Sequence, residues 1–317
     1  MINNKKWFYI LEVVLAVMVG ILTVTMMREK NARDFKKITV IVQNADDHRW
    51  SAFRYGLRMA AQDHQADLMI VSTGEMLTAE EELNIMRQEA DNGADAFIIQ
   101  PVSGDDMEKN LKKIEKKIPV MLVESTASQE KELSLLPSVQ PDHYGMGRSL
   151  AEELLADYNG NLNGKTLGIL TENDETQAVT ERKKGFQESV KDAGATIRWN
   201  VSGSFEEYLP KVDIVIALDN DSVITAAEYA AANNLHGALL YGIGNSTEAV
   251  YYLDTGVAAC LIVPDDFSMG YQSLKVTAES LGHYLHKMEN RTVSYTIIRR
   301  EELFYKKNQE ILYTMSQ

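Results

Sequence analysis

The sequence predicts an α/β protein of two lobes, each built on a parallel β-sheet. Short apolar runs rich in β-branched residues alternate with stretches whose apolar residues recur at helical spacing. The connections between these runs hold whole helices and no tight hairpins, which favours right-handed crossovers between parallel strands. The chain has 317 residues, 45% hydrophobic and 25% charged, which suffices for two lobes of ordinary domain size.

Residues 38–62 hold the first strand and helix and indicate where a ligand would bind. Residues 38–42 form a nearly continuous β-branched run, typical of a strand buried on both faces, and a polar cluster ends it. A helix follows directly with Asp47 as its predicted N-cap, so Arg49 and Trp50 fall in its first turn. Open parallel sheets bind ligands at the carboxyl edge, so the sequence predicts a ligand cleft beside this turn.

Strands and helices alternate through the first part of the chain. The predicted strands are 38–42, 68–71, 96–99 and 120–123, and the predicted helices are 48–64, 78–91 and 105–117. Thr78 and Glu81 form a capping-box pattern at the start of the second helix. Gly93 and Pro119 are typical of the breaks that follow helices.

The same alternation continues through the second part of the chain. The predicted strands are 135–139, 166–170, 196–201, 212–218, 237–241, 257–263 and 293–298, and the predicted helices are 142–158, 179–193, 222–232, 246–255 and 267–288. Asp142 is the predicted cap of the first of these helices. The residues after 298 form a polar, aromatic tail with no predicted helix.

The breaks between elements predict how the lobes divide the chain. Pro264 interrupts the strand-to-helix connection at 264–266, so we expect the chain to return there to the first lobe. Segments that cross between lobes and change their dihedral angles form a hinge. The predicted first lobe is 38–140 plus 264–293, and the predicted second lobe is 141–263 plus 294–317.

Residues 7–27 predict a transmembrane helix, because they are mostly apolar and Glu12 is the only charged residue among them. A cleaved signal peptide has a shorter apolar region, so we favour an uncleaved anchor between a tail, 1–6, and a tether, 28–37. Lysine and arginine are more numerous after the segment than before it, which favours a cytoplasmic domain. Long domains translocate regardless of these charges, and we predict a single-pass anchor with an extracytoplasmic domain.

Composition and motifs argue against several classes of function. A net charge of −14 repels phosphate backbones, so nucleic acid is not an expected partner. The single cysteine, Cys260, lies in an apolar run, which excludes a disulfide or a cysteine metal site within one chain. The histidines lack metal-ligand spacing, and no nucleotide-binding loop or nucleophile elbow is present. We therefore predict a protein without metal or cofactor that is not an enzyme.

Polar residues recur where the predicted strands end. Carboxylates and amides dominate these positions, and Trp50 and Phe205 add flat apolar rings. Such a set suits a neutral polyhydroxylated ligand, because amides and acids bond to hydroxyls while rings cover C–H faces. The alternative for both rings is packing in the core, and the alternative for the polar residues is helix capping.

Five segments in a fixed order resemble a known family. They are 38–47 with Trp50 and Gly56, FIIQP at 97–101, PVMLVE at 119–124, TERKKGF at 180–186 and LDND at 218–221. This set resembles the type 1 periplasmic-binding-protein family, in its ribose- and galactose-binding branch, from Ile38 to about Ile298. The resemblance implies two Rossmann-like lobes joined by three crossovers, which close on a small ligand, usually a sugar. Members of the family serve ABC importers or membrane receptors.

The resemblance also implies ligand contacts at particular positions. They are Asp47, Arg49, Trp50, Glu124, Ser125, Thr180, Phe205, Asn220 and Asn245. Several depart from the family pattern: Ser125 and Thr180 stand where arginines are common, and Gly244 stands where an aspartate is expected. Val263 falls near an expected glutamine. Each lost charged hydrogen bond costs about 1.5–3 kcal/mol, so either the ligand differs from the usual sugars or it binds more weakly.

We therefore expect a membrane-anchored, extracytoplasmic solute-binding protein that closes around a small ligand, most simply a sugar, for an ABC permease. The alternative is a ligand-sensing co-receptor subunit for a membrane histidine kinase or another signalling partner. A transcription repressor core of the same fold would need a basic helix-turn-helix before Ile38, where this chain has an apolar segment.

Overall fold

The computed structural model describes the chain except residues 1–6, 8–11, 13, 21–34, 46–47, 75–77, 105, 129–135, 173–175, 204–208, 232–236, 283–286 and 314–317. The chain divides into two compact units, Met1–Lys36 and Lys37–Gln317. Residues 14–20 of the first unit are helical and exposed. Among the residues that the structure describes, none of the helices has the length and apolar character to cross a membrane. Most of the predicted transmembrane segment, 7–27, lies outside the described residues.

The second unit alternates strands and helices. The described strands are β1 (Lys37–Gln43), β2 (Asp67–Thr73), β3 (Ala96–Ile99), β4 (Val120–Val123), β5 (Ser138–Pro141), β6 (Thr166–Thr171), β7 (Thr196–Ser202), β8 (Ile214–Ala217), β9 (Leu239–Ile243), β10 (Ala258–Pro264), β11 (Arg291–Val293) and β12 (Tyr295–Arg299). The described α-helices of this unit are α1 (Ser51–His64), α2 (Ala79–Asp91), α3 (Met107–Glu115), α4 (His143–Asp157), α5 (Gln177–Val190), α6 (Asn220–Ala231), α7 (Thr247–Asp254), α8 (Asp266–Gly282) and α9 (Lys306–Tyr313). Short 3-10 turns lie at His48–Trp50 and Arg300–Glu302.

The strands form two sheets, one in each lobe. The first sheet has the order β11-β5-β4-β3-β1-β2 and is parallel throughout. The second has the order β12-β10-β9-β8-β6-β7, and only the β12–β10 pair in it is antiparallel among the described strands. The chain crosses between the sheets after β5, after β10 and between β11 and β12. The structure therefore has two α/β lobes joined by three crossing segments.

Strand β1 illustrates how the sequence positions the first sheet. Ile38, Val40 and Val42 pack into the core cluster that also contains residues of α1 and α8. Ile41 packs into the cluster on the opposite face, with residues of α2 and α3. Successive strand side chains point to opposite faces, so a strand covered on both sides needs an almost unbroken apolar run. The expected strand buried on both faces is confirmed.

Local signals set the helix ends largely as predicted. The Thr78–Glu81 capping box is present, and the Asp142 side chain accepts a hydrogen bond from the backbone N–H of Gly145. The predicted strand 293–298 is wrong as a single element, because Ser294 separates β11 from β12 and the two strands pair in different sheets. The predicted tail is also wrong in part, since residues 306–313 form α9.

A glycine pair brings α4 and α5 into close contact in the second lobe. A Cβ on Gly147 would overlap the Arg182 carbonyl group, and a Cβ on Gly185 would overlap the Tyr144 carbonyl group. Backbone approach this close requires residues without a side chain. The two glycines therefore set the distance between the start of α4, which holds His143, and the middle of α5, which holds Arg182.

Candidate functional site

A cavity of about 670 Å³ lies between the two sheets, at the carboxyl ends of their strands. Its walls include residues after β1, β3 and β4 of the first lobe and after β6, β8 and β9 of the second. The crossing segments contribute Pro141, Pro264 and Asp266. This location matches the ligand edge that the sequence predicted for parallel sheets.

The described lining of the cavity is rich in carboxyl groups. They belong to Glu82, Glu124, Glu172, Asp219, Asp221 and Asp266. The described lining contains two guanidinium groups, those of Arg49 and Arg182. Within the described part of the chain, no group of three or more His, Cys, Asp or Glu residues could hold a metal ion.

Arg49 and Asp221 form an ion pair between the lobes. Arg49 lies on the 3-10 turn before α1, and its Nη1 is 3.2 Å from Oδ2 of Asp221, in the first turn of α6. Glu172, the residue after β6, also interacts with the Asp221 carboxyl group. Burial raises the pKa of Glu172 to about 8, and a hydrogen bond with Asp221 and repulsion from it contribute. The Arg49–Asp221 pair therefore connects the two lobes at the cavity.

Trp50 lines the cavity but is held in the core of the first lobe. Its side chain is only 4% exposed, and its Nε1 donates to the carbonyl of Gln43 at 2.9 Å. The ring packs edge-on against Phe53, with centroids 5.1 Å apart, and the Arg49 guanidinium lies 5.9 Å from the ring centroid. The indole therefore combines the core packing and cavity lining that the sequence left as alternatives.

Glu124 begins a hydrogen-bond network that runs across the hinge. Its Oε2 accepts from Nε2 of Gln100 at 2.7 Å, and its backbone has a φ of 63°, in the left-handed region. His143, on the first crossing segment, bonds through Nε2 to the Glu124 carbonyl. Arg182 donates from Nε to Nδ1 of His143 at 3.1 Å and from Nη1 to the Leu218 carbonyl at 2.9 Å. Since Nδ1 accepts, His143 is neutral in this arrangement.

Arg182 is a site residue that the sequence reasoning missed. It is buried, its neighbours Glu124, Asp219 and Asp266 surround it with negative charge, and burial lowers its pKa. The sequence contained one signal, because Arg182 follows Ala178 by one helical turn and precedes Phe186 by one, on the buried face of α5. An arginine on a buried helix face needs partners, and it finds them here in the hinge and the cavity.

Asn220 and Asn245 lie together as predicted candidates, but they bond mainly to each other. The Asn220 Oδ1 accepts from the backbone N–H groups of Asn245 and Ser246, at 2.7 and 2.9 Å, and its Nδ2 donates to Asn245 Oδ1 at 3.0 Å. The Asn245 Nδ2 in turn donates to Asp266. A Cβ on Gly244 would lie 2.6 Å from Asn220 Oδ1, which explains the glycine at this position.

Of the remaining predicted site residues, one lines the cavity, one does not, and two are not described by the structure. Ser125 lines the cavity, is buried, and its Oγ accepts from the backbone N–H of Ala178 in the other lobe at 3.4 Å. Thr180 is exposed on α5 and is not among the described residues that line the cavity. Asp47 and Phe205 lie outside the described residues. Glu82 also lines the cavity but was not predicted. It lies on α2, and the prediction considered polar residues that follow strands.

A protein-family model and several solved structures are similar to this chain. A family model described as "Periplasmic binding protein domain" matches residues 38–283. No curated protein sequence matches the chain.

Solved structures share the architecture at low identity. A carbohydrate transporter solute-binding protein from Agrobacterium radiobacter, in complex with D-arabinose, is 18% identical with a TM-score of 0.77, covering 89% of this chain and 100% of that one. GanP, a glucose-galactose binding protein from Geobacillus stearothermophilus, is 20% identical with a TM-score of 0.74, covering 86% of this chain and 100% of that one. The XylFII–LytSN complex contains a chain 15% identical with a TM-score of 0.71, covering 84% of this chain and 98% of that one. The chain therefore belongs to the periplasmic binding protein family and has its type 1 fold.

Proposed function

We propose that this protein is a membrane-anchored, extracytoplasmic solute-binding protein that closes around a sugar and delivers it to an ABC importer. The observation that carries the proposal is the cavity, since its walls come from both lobes and the Arg49–Asp221 pair bridges it. A ligand in this position contacts both lobes only when they are closed. Its binding energy therefore shifts the population towards the closed form, which a membrane partner can recognise without any chemical reaction.

The dimensions and chemistry of the cavity support a sugar as the ligand. A volume of about 670 Å³ accommodates a monosaccharide with its ordered water. Carboxylates and the Gln100 amide provide hydrogen-bond partners for hydroxyl groups, and Trp50 supplies an aromatic surface. Two of the solved structures described above belong to sugar-binding proteins, which agrees with this assignment.

The apolar N-terminal segment supports the anchor. Within the predicted span, residues 14–20 are helical, and Leu15 and Val17 are 60% and 56% exposed. Apolar helix surface of this kind is suited to a lipid environment. A domain tethered by residues 28–37 would stay at high effective concentration beside its membrane partner.

A second candidate is a ligand-sensing co-receptor for a membrane histidine kinase. The observation that favours it is the similarity of fold to a chain in the XylFII–LytSN complex. The anchor is compatible with both functions, because an importer and a sensor kinase both lie in the membrane. In the co-receptor, the closed lobes would signal to a partner and would not release the ligand to a permease.

Thermal unfolding of the full chain in detergent, with and without neutral monosaccharides, tests the sugar proposal. A sugar at a hundred times its Kd stabilises the folded protein by about 2.7 kcal/mol, which raises the unfolding midpoint by about 5–10 °C. The Glu124→Gln variant should bind that sugar about tenfold more weakly. The Glu80→Gln variant should bind that sugar as tightly as the unsubstituted protein does, because Glu80 is exposed and is not among the described residues that line the cavity. If no sugar raises the midpoint, the proposal is wrong.

Cell measurements separate the two partners. Deleting the gene should abolish uptake of the bound sugar if the protein serves an importer. It should leave uptake intact and abolish sugar-induced kinase signalling if the protein is a co-receptor.

A further inference from the structure

We propose that His143 makes lobe closure sensitive to pH. The neutral ring joins Glu124 of the first lobe to Arg182 of the second, and a second proton on the ring breaks this link. The inference goes beyond the proposed function, because it concerns the movement of the lobes and holds whatever ligand the cavity binds. It depends on the position of the ring at the hinge and on the hydrogen bonds of its two nitrogens.

His143 lies where the first crossing segment, after β5, enters α4. Its side chain is buried, with 3% exposed. The neighbouring Asp142 carboxylate caps α4 by accepting from the backbone N–H of Gly145. A buried polar ring needs protein partners for its nitrogens, so those partners decide which protonation state the folded protein accommodates.

The partners of the two ring nitrogens specify one neutral form of His143. Nε2 bonds to the Glu124 carbonyl, which can only accept, so Nε2 carries the proton. Nδ1 accepts from Nε of Arg182 at 3.1 Å, and a guanidinium group can only donate. Glu124 and Arg182 both line the cavity, from different lobes. The ring therefore connects two cavity residues across the hinge.

A second proton on His143 conflicts with this arrangement. It would set an N–H group on Nδ1 against the Arg182 N–H and bring two positive charges together. Arg182 is 6% exposed, so solvent screens this repulsion poorly. Glu124, Asp219 and Asp266 place negative charge around Arg182 and offset part of the repulsion. They do not remove the conflict between two donors, so the ring and the guanidinium group must separate.

The sign of the pH effect follows from this conflict. The closed arrangement accommodates the neutral ring, so a falling pH favours arrangements in which His143 and Arg182 are apart. Loss of a buried hydrogen bond to a charged group corresponds to a change of about tenfold or more in the closed-to-open ratio.

The buried carboxyl groups of the cavity respond to acid in the opposite sense. Burial raises the pKa of Glu82 to about 7 and the pKa values of Glu172 and Asp266 to about 8. Protons taken up by these groups reduce the repulsion among the carboxylates and do not drive the lobes apart. Opening of the lobes in acid therefore distinguishes the proposed effect of His143 from the titration of the carboxyl groups.

Spin-label distances between the lobes, in the full chain in detergent at pH 8 and pH 5.5, test the proposal. The labels are attached through Asp91→Cys and Glu228→Cys, at exposed positions of the first and second lobes. In His143→Asn, the amide oxygen can accept from Arg182, and the side chain takes up no proton in this range. Acidification should lower the closed-to-open ratio about tenfold more in the protein with His143 than in His143→Asn.

The matched control is His64→Asn, which removes a half-buried histidine at the end of α1 that is not among the described residues lining the cavity. Its pH response should equal that of the protein with both histidines. An equal response in His143→Asn would overturn the proposal. Because no ligand is present, the result does not depend on whether the cavity binds a sugar.

Nitrogen chemical shifts of isotopically labelled histidine test the same proposal without a substitution at His143. The His143 signals, assigned through its backbone neighbours, should show a neutral ring protonated on Nε2 at pH 8. Nδ1 should gain its proton over the pH range in which the lobes separate. A charged ring in the closed protein, or a ring that stays neutral while the lobes separate, would contradict the proposal.

Discussion

The ion pair between Arg49 and Asp221 predicts a measurable effect on lobe closure. The two side chains are 19% and 40% exposed, and their charged atoms are 3.2 Å apart. Solvent screens a pair of this exposure, so we assign it about 1 kcal/mol in the closed form. The residues belong to different lobes, and the pair cannot persist when the lobes separate. Arg49→Gln should therefore lower the closed-to-open ratio about fivefold without affecting the core of either lobe.

Spin-label distance measurements between the lobes test this prediction. Cysteines at Asp91 and Lys184, both exposed, provide one label site on each lobe, and buried Cys260 should not react. The Arg49→Gln variant should show a larger fraction of long distances, and high salt should shift the original protein in the same direction. Arg58→Gln is the control, because Arg58 is exposed on α1, the helix that follows the turn carrying Arg49. An unchanged distance distribution in Arg49→Gln would refute the reasoning.

Two further predictions concern stability. Gly147→Ala should lower the free energy of unfolding by about 1–3 kcal/mol in urea titrations, because the new methyl group meets the Arg182 carbonyl, whereas Gly74→Ala, with open space around it, should not. Burial raises the pKa of Asp266 to about 8 from its usual value near 4, so the folded protein retains a proton that the unfolded chain loses between these pH values. The free energy of unfolding should fall as the pH rises from about 4 to about 8, and Asp266→Asn should make this fall less steep. If both proteins lose stability equally over this pH range, Asp266 is not the group responsible. Glu124, Asp265 and Arg182 surround this group and remain in both proteins, so the comparison isolates Asp266.

The sequence predicted the strands of both sheets because each carries its own signal. The predicted bounds of β3 and β4 agree with the observed ones, since these strands are short apolar runs between helices with clear ends. The division of residues 293–298 between two strands was not predicted. Their β-branched pattern is the same whether they pair in one sheet or in two. Only the positions of β5 and β10 decide that the chain changes sheets at Ser294.

The candidate site was predicted less completely than the fold. Arg49, Trp50, Glu124, Ser125, Asn220 and Asn245 all line the cavity, as expected for residues that follow strands of parallel sheets. Thr180 does not line it in the described structure, and Arg182, one helical turn from Ala178, does. Position in a family motif specifies the neighbourhood of a residue, but the rotation of the helix decides which side chain points inward.

The sequence alone determined the order of strands and helices, the parallel sheets and the location of a cleft at their carboxyl edge, because these follow from local periodicity and chain connectivity. The tertiary structure decided which polar groups remain for a ligand. Asn220 and Asn245 are engaged with each other, and Glu82 reaches the cavity from α2, where it accepts a hydrogen bond from the backbone N–H of Val102. Such pairing depends on distances between residues far apart in the chain, which no local pattern encodes.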